Sequence, residues 1–272
     1  MSLYFDIFGL KIPAYGLSIA VGMIAIMIFL KYQKIYPEVD FDTGLDMMIK
    51  TIVLGGIGAK VLYWITDPDS FLILFDSSYT LMERFKVAFQ GGLVFLGGLI
   101  GGGVGLYFIM KKNKHLRTLK VLDLFGICMP ILQMFGRVGC FFAGCCYGMV
   151  CDSPISVVFP DTGFAPAGVP LLPTQLFGVV GNAIIVITLL LFNKKERKDG
   201  KTLGLYLLMY SIGRFILEFF RGDEYRGIFA GLSTSQWLSI PLLVLGIYLF
   251  FIRKDKISKD ELEEVIEEDT LN

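Results

Sequence analysis

The sequence predicts an all-α polytopic membrane protein, with about seven membrane-spanning helices, a small outer-face head and an interfacial arm. Three observations carry that expectation. The chain of 272 residues is 54% hydrophobic and only 18% charged, where soluble domains average roughly 45–50% apolar residues even with glycine counted. Several runs approach the roughly 20 apolar residues needed to cross a bilayer core. None of these runs shows the ten-residue alternation of a membrane barrel, and a lipid-exposed backbone is satisfied only by helices or closed barrels.

The expected helices cover about 15–33, 45–65, 88–110, 121–142, 174–193, 203–221 and 233–252. Residues 1-254 form one transmembrane domain, and 255-272 form a charged cytoplasmic tail ending in ELEEVIEEDTLN. The N-terminal MSLYFDIFGLKIPAYG has no basic region ahead of an apolar core, so the chain is read as uncleaved. Orientation follows from Lys and Arg. The connections after the first, third, fifth and seventh runs hold Lys31 and Lys34, the KKNKHLRTLK loop, the cluster Lys194 to Lys201, and Arg253 to Lys259. The opposite side holds only Lys11, Arg84, Lys86, Arg221 and Arg226. The bias places the N-terminus outside and the C-terminus in the cytoplasm. The lone His115 sits in a basic loop and is read as a surface residue.

Two segments on the outer side are not spans. Residues 66–87 contain a short FLILF run suited to an interfacial arm. Residues 144–173 lack Lys and Arg, and carry Pro and Gly punctuation with two short β-like runs; these form the head.

Ionisable residues at membrane depth mark functional sites by default. In the sixth run, Tyr210, Arg214 and Glu218 recur at i, i+4 and i+8 and share a face. A hydroxyl, a cation and a carboxylate on one stripe suit an anionic lipid head group, while Arg214 and Glu218 also suit a structural ion pair. Arg137 has Gln133 one turn away but no acidic neighbour there. It wants an anion, and its planar fork of donors fits phosphate. Lys60 beside Tyr63 is expected to snorkel toward the interface. Gly97 and Gly101, and Gly98 and Gly102, have the four-residue spacing that lets helix backbones pack closely; a groove of bare backbone for a lipid head group is the other reading. The cysteines Cys140, Cys145, Cys146 and Cys151 have neither zinc-ribbon nor CxxC spacing. No metal ligand set and no cofactor is expected. A disulfide from Cys145 or Cys146 to Cys151 and a thiolate stabilised by Arg137 are both open.

The order of these pieces resembles the prolipoprotein diacylglyceryl transferase family over nearly the whole chain. Five elements carry the resemblance: AYGLSIAVG (Ala14 to Gly22), GGLVFLGGLIG (Gly91 to Gly101), GRVGCFFAGCCYG (Gly136 to Gly148), LPTQLFG (Leu172 to Gly178) and MYSIGRFILEFFRGDE. The resemblance implies a multi-pass enzyme of the bacterial cytoplasmic membrane. Such an enzyme moves diacylglyceryl from phosphatidylglycerol to the lipobox cysteine thiol of a prelipoprotein signal peptide, and no nucleic acid takes part. It assigns catalytic roles to Arg137, Arg214 and Tyr210, and lipid-binding roles to Arg137, Gly139, Gly144, Tyr15 and Glu218. Where the family pattern has histidine, this chain has Leu96 and Leu172; where it has asparagine, Cys140 and Ala143; where it has glutamate, Cys145. Cys140 and Cys145 are therefore sites of altered chemistry. Two routes stay open for transfer. Either the arginines stabilise the departing glycerol phosphate while the acceptor thiol attacks, or Cys140 or Cys145 is itself the nucleophile or acceptor. A lipid-binding protein without the chemistry, a transferase with another acceptor, and an outer-face thiol or metal protein are the alternative readings.

Overall fold

The computed structural model describes residues 4–7, 10–76, 78–84, 94–114, 116–161, 164–223 and 227–253. His115, Lys86, Arg226, the end of the expected arm (85–87), the start of the third expected helix (88–93) and the tail (255-272) lie outside the described residues. Six described helical segments are long and apolar enough to cross a membrane: Ala14–Tyr32, Phe41–Thr66, Thr118–Ala143, Thr174–Phe192, Lys201–Phe220 and Thr234–Ile252. The remaining expected span appears as Phe95–Lys112, an 18-residue helix ending on Lys111 and Lys112. Among the described residues the fold is all-α apart from three two-stranded antiparallel pairs. The first of these, β1 (Tyr4–Ile7) with β2 (Leu10–Pro13), is a strand pair that the apolar pattern did not predict.

The chain divides into two compact units, one of Leu30–Gln33 with Pro37–Thr118, the other of Met1–Phe29, Lys34–Tyr36 and Leu119–Asn272. The first is built on α2 (Phe41–Thr66) and α4 (Phe95–Lys112). Asp40 caps α2 by accepting from the Thr43 amide at 3.4 Å, which satisfies one of the free N–H groups at the helix start. Glycines then bring α2 and α4 into backbone contact. A Cβ on Gly58 would lie 2.4 Å from the Gly97 carbonyl oxygen, and one on Gly101 would lie 2.4 Å from that of Leu54. The glycine stripe is a packing seam. Lys60 is 7% exposed, with its ammonium 4.7 Å from the Tyr63 ring centroid. After α2 the chain forms α3 (Pro68–Leu72) and a short 3₁₀ turn (Ile73–Phe75). Phe71 packs on Trp64 and Phe75, while Leu72 and Phe75 are largely exposed.

The second unit carries α1 (Ala14–Tyr32, whose last turn belongs to the first unit), α5 (Thr118–Ala143), α6 (Thr174–Phe192), α7 (Lys201–Leu217) and α8 (Thr234–Ile247). α7 tightens into a 3₁₀ turn over Glu218–Phe220, and α8 continues as a π turn over Tyr248–Ile252. A capping box between Ser233 and Gln236 starts α8, each side chain satisfying the other's backbone amide. Ile184, Ile187, Val180 and Val244 are exposed, whereas Gln175, Asn182, Ser211, Glu218, Gln236 and Ser239 are buried. Apolar outside and polar inside is the arrangement lipid selects.

Residues 144–173, between α5 and α6, fold into a small body. β3 (Val157–Val158) pairs antiparallel with β4 (Pro170–Leu171). Phe159, Ala165 and Leu171 are buried together, with Phe141 and Tyr147 packed against them.

Candidate functional site

α7 presents the polar stripe that its sequence spacing requires. Tyr210, Arg214 and Glu218 fall on successive turns of one face. Arg214 Nη2 lies 3.0 Å from Glu218 Oε2, and it donates to Ser235 Oγ of α8 at 2.7 Å. Arg221 Nη1 reaches the same Glu218 oxygen at 3.4 Å, and its fork also grips Asp223. One buried carboxylate thus holds two guanidiniums. Arg214 Nη1 is left without a hydrogen-bond partner, although it is shielded from water.

Arg137 enters the same region from α5. A Cβ on Gly178 of α6 would stand 3.1 Å from Arg137 Cγ and Cδ, so the absent side chain is what gives the arginine stem its path. The two arginines line one cavity of about 210 Å³. Gln133, Tyr210 and Asn182 supply its other polar walls; Phe177, Ile185 and Leu217 supply apolar ones, and Gly181 and Gly213 complete it. The Gln133 amide donates to Tyr206 Oη at 3.0 Å, and the Asn182 amide to the Gly178 carbonyl at 2.8 Å. Their oxygens, Gln133 Oε1 and Asn182 Oδ1, have no partner. The cavity is therefore walled by two guanidiniums and two side-chain amides, a lining that suits an anion bearing hydroxyl groups.

The cysteine-rich turn follows directly. α5 ends at Ala143, and Gly144 adopts φ 70°, a left-handed position that glycine takes without a Cβ clash. Cys146 also has a positive φ, 57°. The turn is pinned from α6: Gln175 Nε2 donates to the Cys145 carbonyl and Thr174 Oγ1 to that of Cys146, each at 2.8 Å. Beyond it, Gly148 pairs with Arg221 as a short antiparallel bridge, joining the turn to the end of α7. As a result the Sγ atoms of Cys140, Cys145 and Cys146 all lie within 4.8 Å of one another. The Cys140 and Cys145 thiols hold the Cys146 thiol far below the usual range, with Arg137 and Arg221 adding to the effect; Cys140, Cys146 and burial push the Cys145 thiol up. Cys128 is buried in α5, and all five cysteines, Cys151 included, are free. The disulfide to Cys151 is not formed.

The structure brings Arg137, Arg214 and Tyr210 to one cavity, with Glu218 holding Arg214. It gives Gly139 and Tyr15 a different relationship. A Cβ on Gly139 would meet the Tyr15 ring at 2.8 Å and its Cα at 3.1 Å, so Gly139 is where α1 closes on α5, and neither residue lines the cavity. Tyr15 stays exposed and within electrostatic reach of Arg137 and the three thiols. Gly144 is buried in the turn, Leu96 falls in the first turn of α4, and Leu172 is buried. Sequence reasoning gave no role to Asn182, and carried Thr174, Gln175 and Gly178 only within the LPTQLFG element. For Thr174, Gln175 and Asn182 the signal was present as two amides and a hydroxyl within an otherwise apolar span, the kind of position that costs free energy unless it is partnered.

A family model described as prolipoprotein diacylglyceryl transferase matches residues 2–252. The chain is 40% identical over 262 residues to phosphatidylglycerol–prolipoprotein diacylglyceryl transferase 2 of Clostridium perfringens, covering 95% of this chain and 98% of that one. It is 38% identical over 248 residues to the phosphatidylglycerol–prolipoprotein diacylglyceryl transferase of Clostridium tetani, covering 91% and 96%. With the protein of the same name from Clostridium novyi it shares 32% identity over 251 residues, covering 90% and 93%.

Proposed function

The chain belongs to the prolipoprotein diacylglyceryl transferase family, and from that premise we propose that it moves diacylglyceryl from phosphatidylglycerol to the lipobox cysteine of a prelipoprotein. The observation that supports the donor is the lining of one cavity by Arg137, Arg214, Gln133 and Asn182. A phosphatidylglycerol head group carries a phosphate for the guanidiniums and hydroxyls for the side-chain amides.

In this reading Arg137 and Arg214 are the catalytic cations. The acceptor thiol gives its proton to water, its sulfur forms a bond to the diacylglyceryl carbon, the carbon–oxygen bond to phosphate breaks, and glycerol phosphate leaves with the electron pair. Charge grows on the phosphate as that bond breaks, so preorganised guanidiniums favour the transition state over the bound lipid. Tyr210 lines the cavity beside them and contributes its hydroxyl. Glu218 fixes Arg214 and acts through it. Tyr15, Gly139 and Gly144 support the site by shaping the α1–α5 contact and the turn above the cavity.

The membrane placement extends the same reading. The enzyme is multi-pass in a bacterial cytoplasmic membrane, with the N-terminus outside and the C-terminus in the cytoplasm. The body at 144–173 is the outer head that meets the signal peptide, residues 66–87 are the interfacial arm, and 255-272 are the cytoplasmic tail. The first test is expression in cells depleted of their own transferase. A lipobox protein should gain the mass of diacylglyceryl. A well-folded, membrane-inserted protein that gives no gain, but copurifies with phosphatidylglycerol, points instead to lipid binding without transfer.

A further inference from the structure

Three thiols converge beside the anion cavity without lining it. A zinc–sulfur bond of about 2.3 Å sets sulfurs around one ion about 3.8–4.0 Å apart. Thiols already within 4.8 Å of one another need to close by about 1 Å at most to share that ion. Their backbone is fixed for it. Cys140 lies in the last turn of α5, the Cys145 amide donates to the Cys140 carbonyl at 3.1 Å, and Gln175 and Thr174 hold the carbonyls of Cys145 and Cys146.

The charges nearby favour a divalent ion. Arg137 and Arg221 stand within electrostatic reach of the Cys146 thiol, and three thiolates with a divalent cation carry one net negative charge that such guanidiniums offset. Sulfur donors without carboxylate or imidazole select soft or borderline ions such as zinc over magnesium or calcium. All three cysteines are only partly buried, so the cluster is not sealed inside the core.

We propose that Cys140, Cys145 and Cys146 form a three-thiolate site for a divalent d10 ion of the zinc class, with an open fourth position. Three protein ligands and one open position is the pattern of a zinc site that does chemistry. The role of that position rests on the transferase reading. The cavity residues Gln133, Asn182, Tyr210, Arg137 and Arg214 include no strong base, so an acceptor thiol needs another way to lose its proton. Binding at the open position supplies one: the metal–sulfur bond forms, the thiol proton passes to water, and the sulfur is a thiolate when it meets the lipid.

The test uses the purified full-length protein in detergent, reduced, stripped of metal and titrated anaerobically with Co²⁺. Wild type should take up one Co²⁺ per chain with a sulfur-to-metal charge-transfer band that Zn²⁺ removes. Each of Cys140→Ser, Cys145→Ser and Cys146→Ser should weaken binding by more than the about 10–100-fold cost of losing an outer-shell partner. Cys128→Ser and Cys151→Ser should bind as wild type. No stoichiometric band in reduced wild type, or a band that survives any two of the three single substitutions, overturns the site. Adding a peptide with a single cysteine to the Co²⁺ form should raise the band by about one-third, one thiolate joining three; an unchanged band overturns the acceptor role. The titration involves no lipid and no turnover, so its failure is separable from failure of the transferase reading.

Discussion

Arg214 and Glu218, one helical turn apart on α7, form an ion pair with Nη2 to Oε2 at 3.0 Å, while Arg214 Nη1 has no protein partner. The pair therefore does two separable things. Glu218 is 3% exposed, and it offsets the cost of burying two arginines. Arg214 also lines the cavity. Arg214→Gln should lower transfer by about 10²–10³-fold, the usual cost of removing a donor to developing charge. Glu218→Gln leaves Arg214 and Arg221 buried without their shared carboxylate, and should cost about 3–5 kcal/mol of stability. Thermal unfolding in detergent, run beside a transfer assay, separates the two outcomes.

The cavity glycines divide into two kinds. A Cβ on Gly181 or Gly213 meets nothing within 4 Å, so Gly181→Leu and Gly213→Leu should fold normally, fill the cavity and abolish lipid retention. Gly178→Ala instead pushes on Arg137 at 3.1 Å. It should leave the fold intact and reduce kcat/KM by about tenfold through misplacement of one cation. Retention of phosphatidylglycerol, measured by mass spectrometry of the purified protein, checks the first pair.

The seam between α2 and α4 predicts an effect on stability alone. Gly58→Leu drives a side chain into the Gly97 carbonyl 2.4 Å away and should destabilise by at least about 1–3 kcal/mol. Gly56→Leu, with nothing within 4 Å, should leave the melting temperature in place. Both variants are read by thermal unfolding.

Gln175 is 0% exposed and donates to the Cys145 carbonyl at 2.8 Å. Gln175→Leu strands that carbonyl at a cost of about 1–3 kcal/mol and frees the turn. Alkylation of Cys145 and Cys146 by a maleimide should become faster, with Cys151 labelling unchanged, as followed by intact-protein mass.

Periodicity made part of this site legible. The i, i+4, i+8 spacing of Tyr210, Arg214 and Glu218 fixes one face of a helix whatever surrounds it. A lone Arg137 in an apolar run declares an anion for the same reason that it is costly there. The thiol cluster had no such period. Cys145 and Cys146 lie past the end of α5, and their return to Cys140 depends on the left-handed Gly144 and on bonds from α6, about 30 residues further on. Gly139 was legible as important but not as packing, because only the fold shows Tyr15 against it. The β1–β2 hairpin was missed because four-residue strands leave too short an alternation beside a strong helical signal.

The most direct test of the account uses the purified protein in phosphatidylglycerol vesicles with a synthetic lipobox peptide, reading peptide mass and released glycerol phosphate together. The account predicts equimolar thioether-linked diacylglyceryl peptide and glycerol phosphate, both lost in Arg137→Gln and Arg214→Gln proteins that still fold. Phosphatidylglycerol held tightly by wild type with neither product formed, or transfer that persists in both arginine variants, would contradict it.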